Sequence, residues 1–244
     1  MNREAQAVVL FLVGGAVLRA SSTDLYLRYV KAGLRPLLLV AGIVLIVAAI
    51  ATVWYELRPP RATQENQPER EHHDRRGHAH REPRISWLLV LPLFALILVA
   101  PPALGSYTAN RTGTALQPPF GFLPLPASDP LQLSVVDYAG RAVYDHGRSL
   151  GDRRIKITGF IALDRSGAPY LIRMVLNCCA ADAQPVKIGL SGQIPSILQP
   201  DTWLEVIGTY TNKQTKDPVN DGVIPFINVS QARPVPAPHD QYES

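Results

Sequence analysis

The chain has 244 residues, of which 47% are apolar and 18% are charged, and its two cysteines are adjacent. This composition excludes a chain that is disordered throughout, and it also excludes a disulfide-built miniprotein and a four-cysteine zinc site. Residues 1–104 hold 12 Lys and Arg against 8 Asp and Glu, whereas residues 105–244 hold 12 of each, so the net charge of +4 belongs to the first part. Basic excess among the most apolar segments favours a membrane surface over nucleic acid as a partner.

Three apolar runs predict three transmembrane helices, at about residues 5–23, 36–55 and 85–104. The run 36–55 is uncharged, and twenty residues at helical rise cover about 30 Å, the thickness of a hydrocarbon core. The run 85–104 is also uncharged and contains Pro92, which a membrane helix tolerates. The first run is shorter and is interpreted as an uncleaved helix. A cleaved signal peptide is the alternative, against which Arg19 at the would-be cleavage site argues.

The segment 21–35 connects the first two runs and mixes basic with aromatic side chains. Such a segment is typical of a membrane surface, and a solvated loop is the alternative. Arginines and lysines near the ends of the runs number eight on the side of the membrane that would hold the N-terminus and the loop 56–84, and five on the opposite side. Because the more basic side tends to remain in the cytoplasm, we expect a multi-pass protein of the cell membrane with an extracytoplasmic C-terminal domain and membrane lipid as a partner.

The loop 56–84 is charged and without apolar periodicity, so it is predicted to be disordered. It carries four histidines within nine residues, namely His72, His73, His78 and His80. Imidazoles on a flexible tether can bind divalent transition metals such as zinc. The alternative is a polar linker whose histidines bind nothing.

Residues 131–235 are predicted to form a mainly β, OB-like small barrel, preceded by a linker at 105–130 and followed by a tail at 236–244. Five short β-type runs alternate with turn segments, at 154–163, 170–176, 185–190, 203–211 and 224–229. Five strands suit the OB-fold, whereas a β-sandwich would need about seven. Residues 105–244, which include this domain, carry no net charge, and we therefore expect no nucleic-acid binding.

The sequence NCCAAD at Asn177–Asp182 follows the second of these β-type runs. Because side chains alternate along a strand, one thiol is expected to face the core and the other a surface. Three interpretations stay open: a buried structural pair, a soft metal site, and a redox-sensitive thiol pair. The metal interpretation uses Cys178, Cys179 and Asp182, which a histidine could join. An exposed thiol near Arg173 would be favoured as a thiolate.

No catalytic set is visible in the sequence, and the chain is predicted not to be an enzyme. Asp145 and His146 precede Ser149, but no G-x-S-x-G elbow is present, and no Walker, Rossmann or HExxH pattern occurs. His146 is interpreted as a satisfied structural histidine, and no catalytic residue or organic cofactor is assigned.

Several stretches together resemble the YcgQ-type family of bacterial membrane proteins. They read REAQAVVLFLVGGAVLR, YLRYVKAGLRPLLLVAG, LGSY, VYDHGRSLGDRRIKITGF and RMVLNCCAADAQPV. Members of that family are described as subunits of a two-component permease with a C-terminal domain of unknown function. The resemblance implies a polytopic permease of the YcgR type as partner and an association with metal homeostasis, and it implies no catalytic residues.

The primary prediction is therefore an accessory subunit of a membrane permease for a metal ion or a small solute. The alternative is a stand-alone membrane-anchored sensor or scaffold protein. In that alternative the cysteine pair or the histidine-rich loop would respond to the ligand.

Overall fold

The computed structural model describes residues 3–57, 102–195 and 197–243. They divide into two compact units. One holds the two N-terminal helices, and the other holds residues 24–34 together with the chain from Pro102 onward. Nearly all of the predicted third apolar run and all four histidines of the 56–84 loop lie outside the described residues.

The N-terminal unit is a pair of helices, α1 (Arg3–Ser22) and α2 (Arg35–Leu57). Of the described residues, one stretch is long and apolar enough to cross a membrane: Ala32–Tyr55, with a mean hydropathy of 2.8. The apolar part of α1, Gln6–Ser22, is shorter. Of the three predicted spans, one is a clear apolar helix in the described part of the chain.

Within its described residues, the C-terminal unit contains two α-helices and seven strands. The helices are α3 (Ser106–Arg111) and α4 (Val135–Tyr144). The strands are β1 (Leu131–Gln132), β2 (Ile155–Leu163), β3 (Pro169–Val175), β4 (Gln184–Gly192), β5 (Trp203–Lys216), β6 (Val223–Pro234) and β7 (Tyr242–Glu243).

Strands β2 to β6 close into a barrel, which confirms the small five-stranded barrel predicted from the sequence. Antiparallel pairs join β2 to β3, β3 to β4, β2 to β5 and β5 to β6, and one parallel pair joins β4 to β6. This five-stranded closure is consistent with an OB-like fold. Strand β5 runs to Lys216 because two register shifts, after Ile207 and after Tyr210, let it coil around the barrel.

Alternation along β2 separates two apolar clusters. Ile155, Ile157 and Ile161 belong to the larger one, whereas Phe160 and Ala162 belong to a smaller one on the other face. Helix α4 adds its apolar face to the larger cluster, with Val135, Tyr138, Ala139 and Ala142 all fully buried. Its first turn is capped by the hydroxyl of Ser134, which accepts a hydrogen bond from Asp137 N at 2.9 Å.

The C-terminal tail forms part of the same unit. Strand β7 pairs in parallel with Met174 and Val175 of β3. The carboxylate of Glu243 accepts hydrogen bonds of 3.0 Å from Val135 N and Val136 N. Because these are unpaired N–H groups at the start of α4, the tail supplies the second cap of that helix.

Candidate functional site

The NCCAAD sequence forms the connection between β3 and β4. Strand β3 ends at Val175, and a single 3₁₀ turn covers Ala180–Asp182. The carboxylate of Asp182 accepts hydrogen bonds from Asn177 N at 3.1 Å and from Cys178 N at 2.9 Å. One carboxylate therefore fixes the backbone that carries the first cysteine.

Cys178, Cys179 and Asp182 form the one group of three or more possible metal ligands among the described residues. Both sulfur atoms and a carboxylate oxygen lie within 4.8 Å of one another. Ligands at the usual zinc distances stand about 3.5–3.8 Å apart around a tetrahedral ion. The three donors would thus need to move by about 1 Å or less to share an ion.

The three groups already interact through hydrogen bonds that involve the Cys178 thiol. The pKa of Cys178 is raised to about 11, first because its thiol is hydrogen-bonded to Asp182 and then because of the neighbouring Cys179. The same thiol hydrogen bond is the main cause that lowers the pKa of Asp182 below its ordinary value. Cys178 is therefore a thiol at neutral pH, which makes it a poor nucleophile and argues against the redox interpretation.

Two expectations about the cysteines are wrong. Neither thiol lies in the core, because Cys178 is exposed and Cys179 is half-buried. The strand ends two residues before Asn177, so the alternation of a strand does not extend to the pair. Nor is the Cys178 thiolate favoured. The guanidinium of Arg173 is instead buried among the tail carbonyls of Asp240 and Tyr242 and stacks over Trp203.

The backbone of the site is bonded to residues 24–34, which we call the connector because they lie between α1 and α2. Lys31 N donates to Cys178 O at 3.1 Å, and Ala180 N donates to Tyr29 O at 2.7 Å. Between these bonds, Val30 and Cys179 form an antiparallel bridge. Nothing in the sequence signals this pairing, because the two segments are more than 140 residues apart.

Among the described residues, the other candidates from the sequence analysis do not form a further site. Asp145 accepts a 2.7 Å bond from Ser149 N, and Ser149 Oγ accepts one from Arg141. His146, interpreted from the sequence as a structural histidine, is exposed just after the end of α4, with φ +51°. His72, His73, His78 and His80 lie outside the described residues.

A histidine that the sequence analysis passed over also lies beside the connector. His239 Nε2 lies 2.6 Å from the Asp24 carboxylate, and both side chains are about two-thirds exposed. No spacing or motif signals this pair, because its members lie near opposite ends of the chain.

Comparison with known proteins bears on the C-terminal unit. Residues 128–243 match the DUF1980 C-terminal domain. The DUF1980 match includes α4, the whole barrel, the cysteine turn and β7, and it supports a DUF1980-type family; it does not establish the YcgQ name. Neither the curated proteins nor the solved structures gave a match to the chain.

Proposed function

We propose that this chain is an accessory subunit of a membrane permease. Its own OB-like domain binds a soft transition-metal ion at Cys178, Cys179 and Asp182. The observation that carries the proposal is the convergence of two sulfur atoms and a carboxylate oxygen within 4.8 Å. Thiolates select soft or borderline ions such as Zn(II), Cu(I) and Cd(II), whereas a site for Mg(II) or Ca(II) would be built from oxygen atoms alone.

The exposure of the site favours an ion that enters and leaves. Structural zinc sites are closed by four protein ligands, whereas three ligands leave a position open for water or an incoming group. Cys178 is exposed and Asp182 is half-buried. An ion held there can be passed on to another protein, as an accessory subunit of a metal permease requires.

The N-terminal unit supports the membrane part of the proposal. The outward side chains of α2 are large and apolar, and Leu37, Val40, Ile43, Val44 and Val47 are each more than half exposed. Apolar surface of this extent is stable in lipid or against another membrane helix and is costly in water. The permease partner itself, of the YcgR type, rests on the family resemblance alone.

We further propose a multi-pass protein with the barrel outside the cytoplasm. The connector and the barrel belong to one compact unit, so they share one side of the membrane. A chain that leaves this side through α2 has to return before Pro102, and the part of the predicted apolar run 85–104 that precedes Pro102 supplies that crossing. The arginine count favours the outer side.

A stand-alone metal-responsive sensor is the second candidate. It is favoured by the backbone bonds between the cysteine turn and the connector, because they join the candidate site to the segment between α1 and α2. Affinity purification of the full chain after crosslinking distinguishes the two functions. An accessory subunit brings a polytopic permease with it, whereas a sensor or scaffold protein brings a soluble or envelope protein.

Cadmium titration of the full chain in detergent micelles tests the site. The ultraviolet cadmium–thiolate band reports only on this pair, because the chain contains no other cysteine. We expect saturation at one ion per chain, with the band abolished in Cys178→Ala/Cys179→Ala and weakened affinity in Asp182→Ala.

A matched control separates the cysteine turn from the histidine-rich loop. Replacing His72, His73, His78 and His80 together by alanine should leave the cadmium–thiolate band and its midpoint unchanged. The proposed site is excluded if the wild-type chain shows no saturable thiolate band at cadmium concentrations up to the millimolar range.

A further inference from the structure

We infer that metal binding at Cys178, Cys179 and Asp182 is coupled to the docking of the connector on the barrel, so that each strengthens the other. The inference rests on the proposed metal site and adds a regulatory role for residues 24–34. Its physical basis is that the same backbone atoms hold the connector and orient the ligands.

The contacts alternate along the two segments. Cys178 O accepts from Lys31 N, Cys179 bridges to Val30, and Ala180 N donates to Tyr29 O. The bonded residues therefore include both cysteine ligands and the residue that follows them. Docking fixes the backbone of the cysteine pair on one side, while the Asp182 carboxylate fixes it on the other through Asn177 N and Cys178 N.

An ion at this site needs that same arrangement of donors. The three donor atoms converge only while Cys178, Cys179 and the 3₁₀ turn keep their present backbone conformation. Release of the connector frees the carbonyl of Cys178 and the N–H of Ala180, and the pair can then adopt other conformations. Ion binding consequently favours the docked connector, because it selects the conformation that docking stabilises.

The connector also lies beside the C-terminal tail. Tyr26 and Leu27 are its two buried residues. A cavity of about 300 Å³ is lined by Asp24, Leu25, Leu27 and Arg28 of the connector and by the tail residues Pro238, His239 and Gln241. Polar contacts also join the two segments here, since Tyr242 Oη donates to Arg28 O at 3.1 Å and His239 contacts Asp24.

The connector is also the covalent link between the two helices of the N-terminal unit. It starts two residues after the end of α1 and ends directly before Arg35, the first residue of α2. A change in its docking therefore acts on the end of α1 and on the beginning of α2. This gives the soluble domain a route by which an ion can influence the membrane part of the chain.

The coupling is tested by removing one backbone donor without altering a ligand. Lys31→Pro deletes the N–H that donates to Cys178 O, and the matched control Lys31→Ala keeps it. For the full chain in micelles, we expect Lys31→Pro to weaken the affinity for cadmium about fivefold or more, the lower end of ordinary coupling between sites. Lys31→Ala should bind as the wild type does.

Amide hydrogen exchange supplies the reciprocal measurement without any change in the connector. Cadmium should slow the exchange of the Ala180 and Lys31 amides in the wild type, by about the factor lost in Lys31→Pro. It should have no such effect in Cys178→Ala/Cys179→Ala, whose backbone donors are intact.

The two proposals fail in different ways. If Lys31→Pro binds cadmium with wild-type affinity and cadmium leaves the two amides unprotected, the coupling is wrong while the metal site stands. If the wild type shows no thiolate band, the metal site is wrong and the coupling falls with it.

Discussion

Lys187 of β4 and Asp217 of the β5–β6 turn form a buried ion pair. The ammonium lies 2.8 Å from the carboxylate, with side chains 6% and 0% exposed. Asp217 also accepts hydrogen bonds from Thr114 N at 2.8 Å and Val219 N at 2.9 Å. The pair therefore organises residue 114, the start of β4 and the β5–β6 turn around one carboxylate.

Removal of the lysine should destabilise the C-terminal unit strongly. Lys187→Met leaves the Asp217 carboxylate buried without its counter-ion, and breaking such a pair costs about 3–5 kcal/mol. Lys216→Met is the matched control, because this lysine is exposed and its replacement should change the free energy of unfolding by about 0.5 kcal/mol or less. Urea denaturation, monitored by circular dichroism, measures the free energy of unfolding of both variants. Equal small losses of stability would show that the ion pair is not structurally important.

The candidate site shows what the sequence can predict about single residues. The types and spacing of Cys178, Cys179 and Asp182 were sufficient to propose a soft-metal set, because ligand chemistry depends on residue type. Their exposure was not predictable, since it depends on where β3 ends. The raised pKa of Cys178 was also missed, because it follows from the position of the Asp182 carboxylate in the folded turn.

Among the structural elements, the five barrel strands were the most predictable, because each combines β-type residues with turn segments on both sides. The bulges that extend β5 and the pairing of β7 were not predictable from local pattern. Strand β7 has two residues, and it exists because Tyr242 and Glu243 have partners in β3, α4 and the connector. The bridge between Val30 and Cys179 is likewise a product of the tertiary fold.

Close packing of α1 against α2 depends on Gly14 and Gly42. A Cβ atom added to Gly14 would lie 2.9 Å from Ile46 Cγ1 and 3.1 Å from the carbonyl oxygen of Gly42. A Cβ atom added to the neighbouring Gly15 would meet nothing within 4 Å. The two adjacent glycines thus differ in environment and provide a matched pair of variants.

Substitution at these glycines should separate their roles. We expect Gly14→Leu to push the helices apart and to accelerate amide hydrogen exchange along α1, measured on the full chain in micelles. Gly15→Leu should leave the exchange close to the wild-type rate, because its side chain meets open space. Equal acceleration in both variants would mean that helix propensity, and not contact with α2, determines the stability of α1.

At the scale of the whole molecule, sequence boundaries and compact units differ. Composition separates an apolar N-terminal part from a balanced C-terminal part, but the connector lies inside the first part and packs with the second. A partition made along the chain cannot detect this, because it treats neighbouring residues as members of one domain. The consequence is topological: under the proposed crossing of a membrane by α2, the connector and the barrel lie on the same side of that membrane.

Labelling with a membrane-impermeant maleimide tests that consequence. In a Cys178→Ala/Cys179→Ala background, one cysteine is placed at a time at Asp24 in the connector or at Asn212 in β5, both of which are exposed. Loss of the exposed contact between Asp24 and His239 should cost little stability. We expect both single-cysteine chains to be labelled in intact cells. Gln64→Cys, in the loop predicted to be cytoplasmic, should be labelled only after permeabilisation, because the side with more arginine and lysine remains inside.

If both exposed positions are labelled only after permeabilisation, the orientation is reversed while the shared side is retained. Labelling of one position and not the other in intact cells would contradict the assignment of the connector and the barrel to one side.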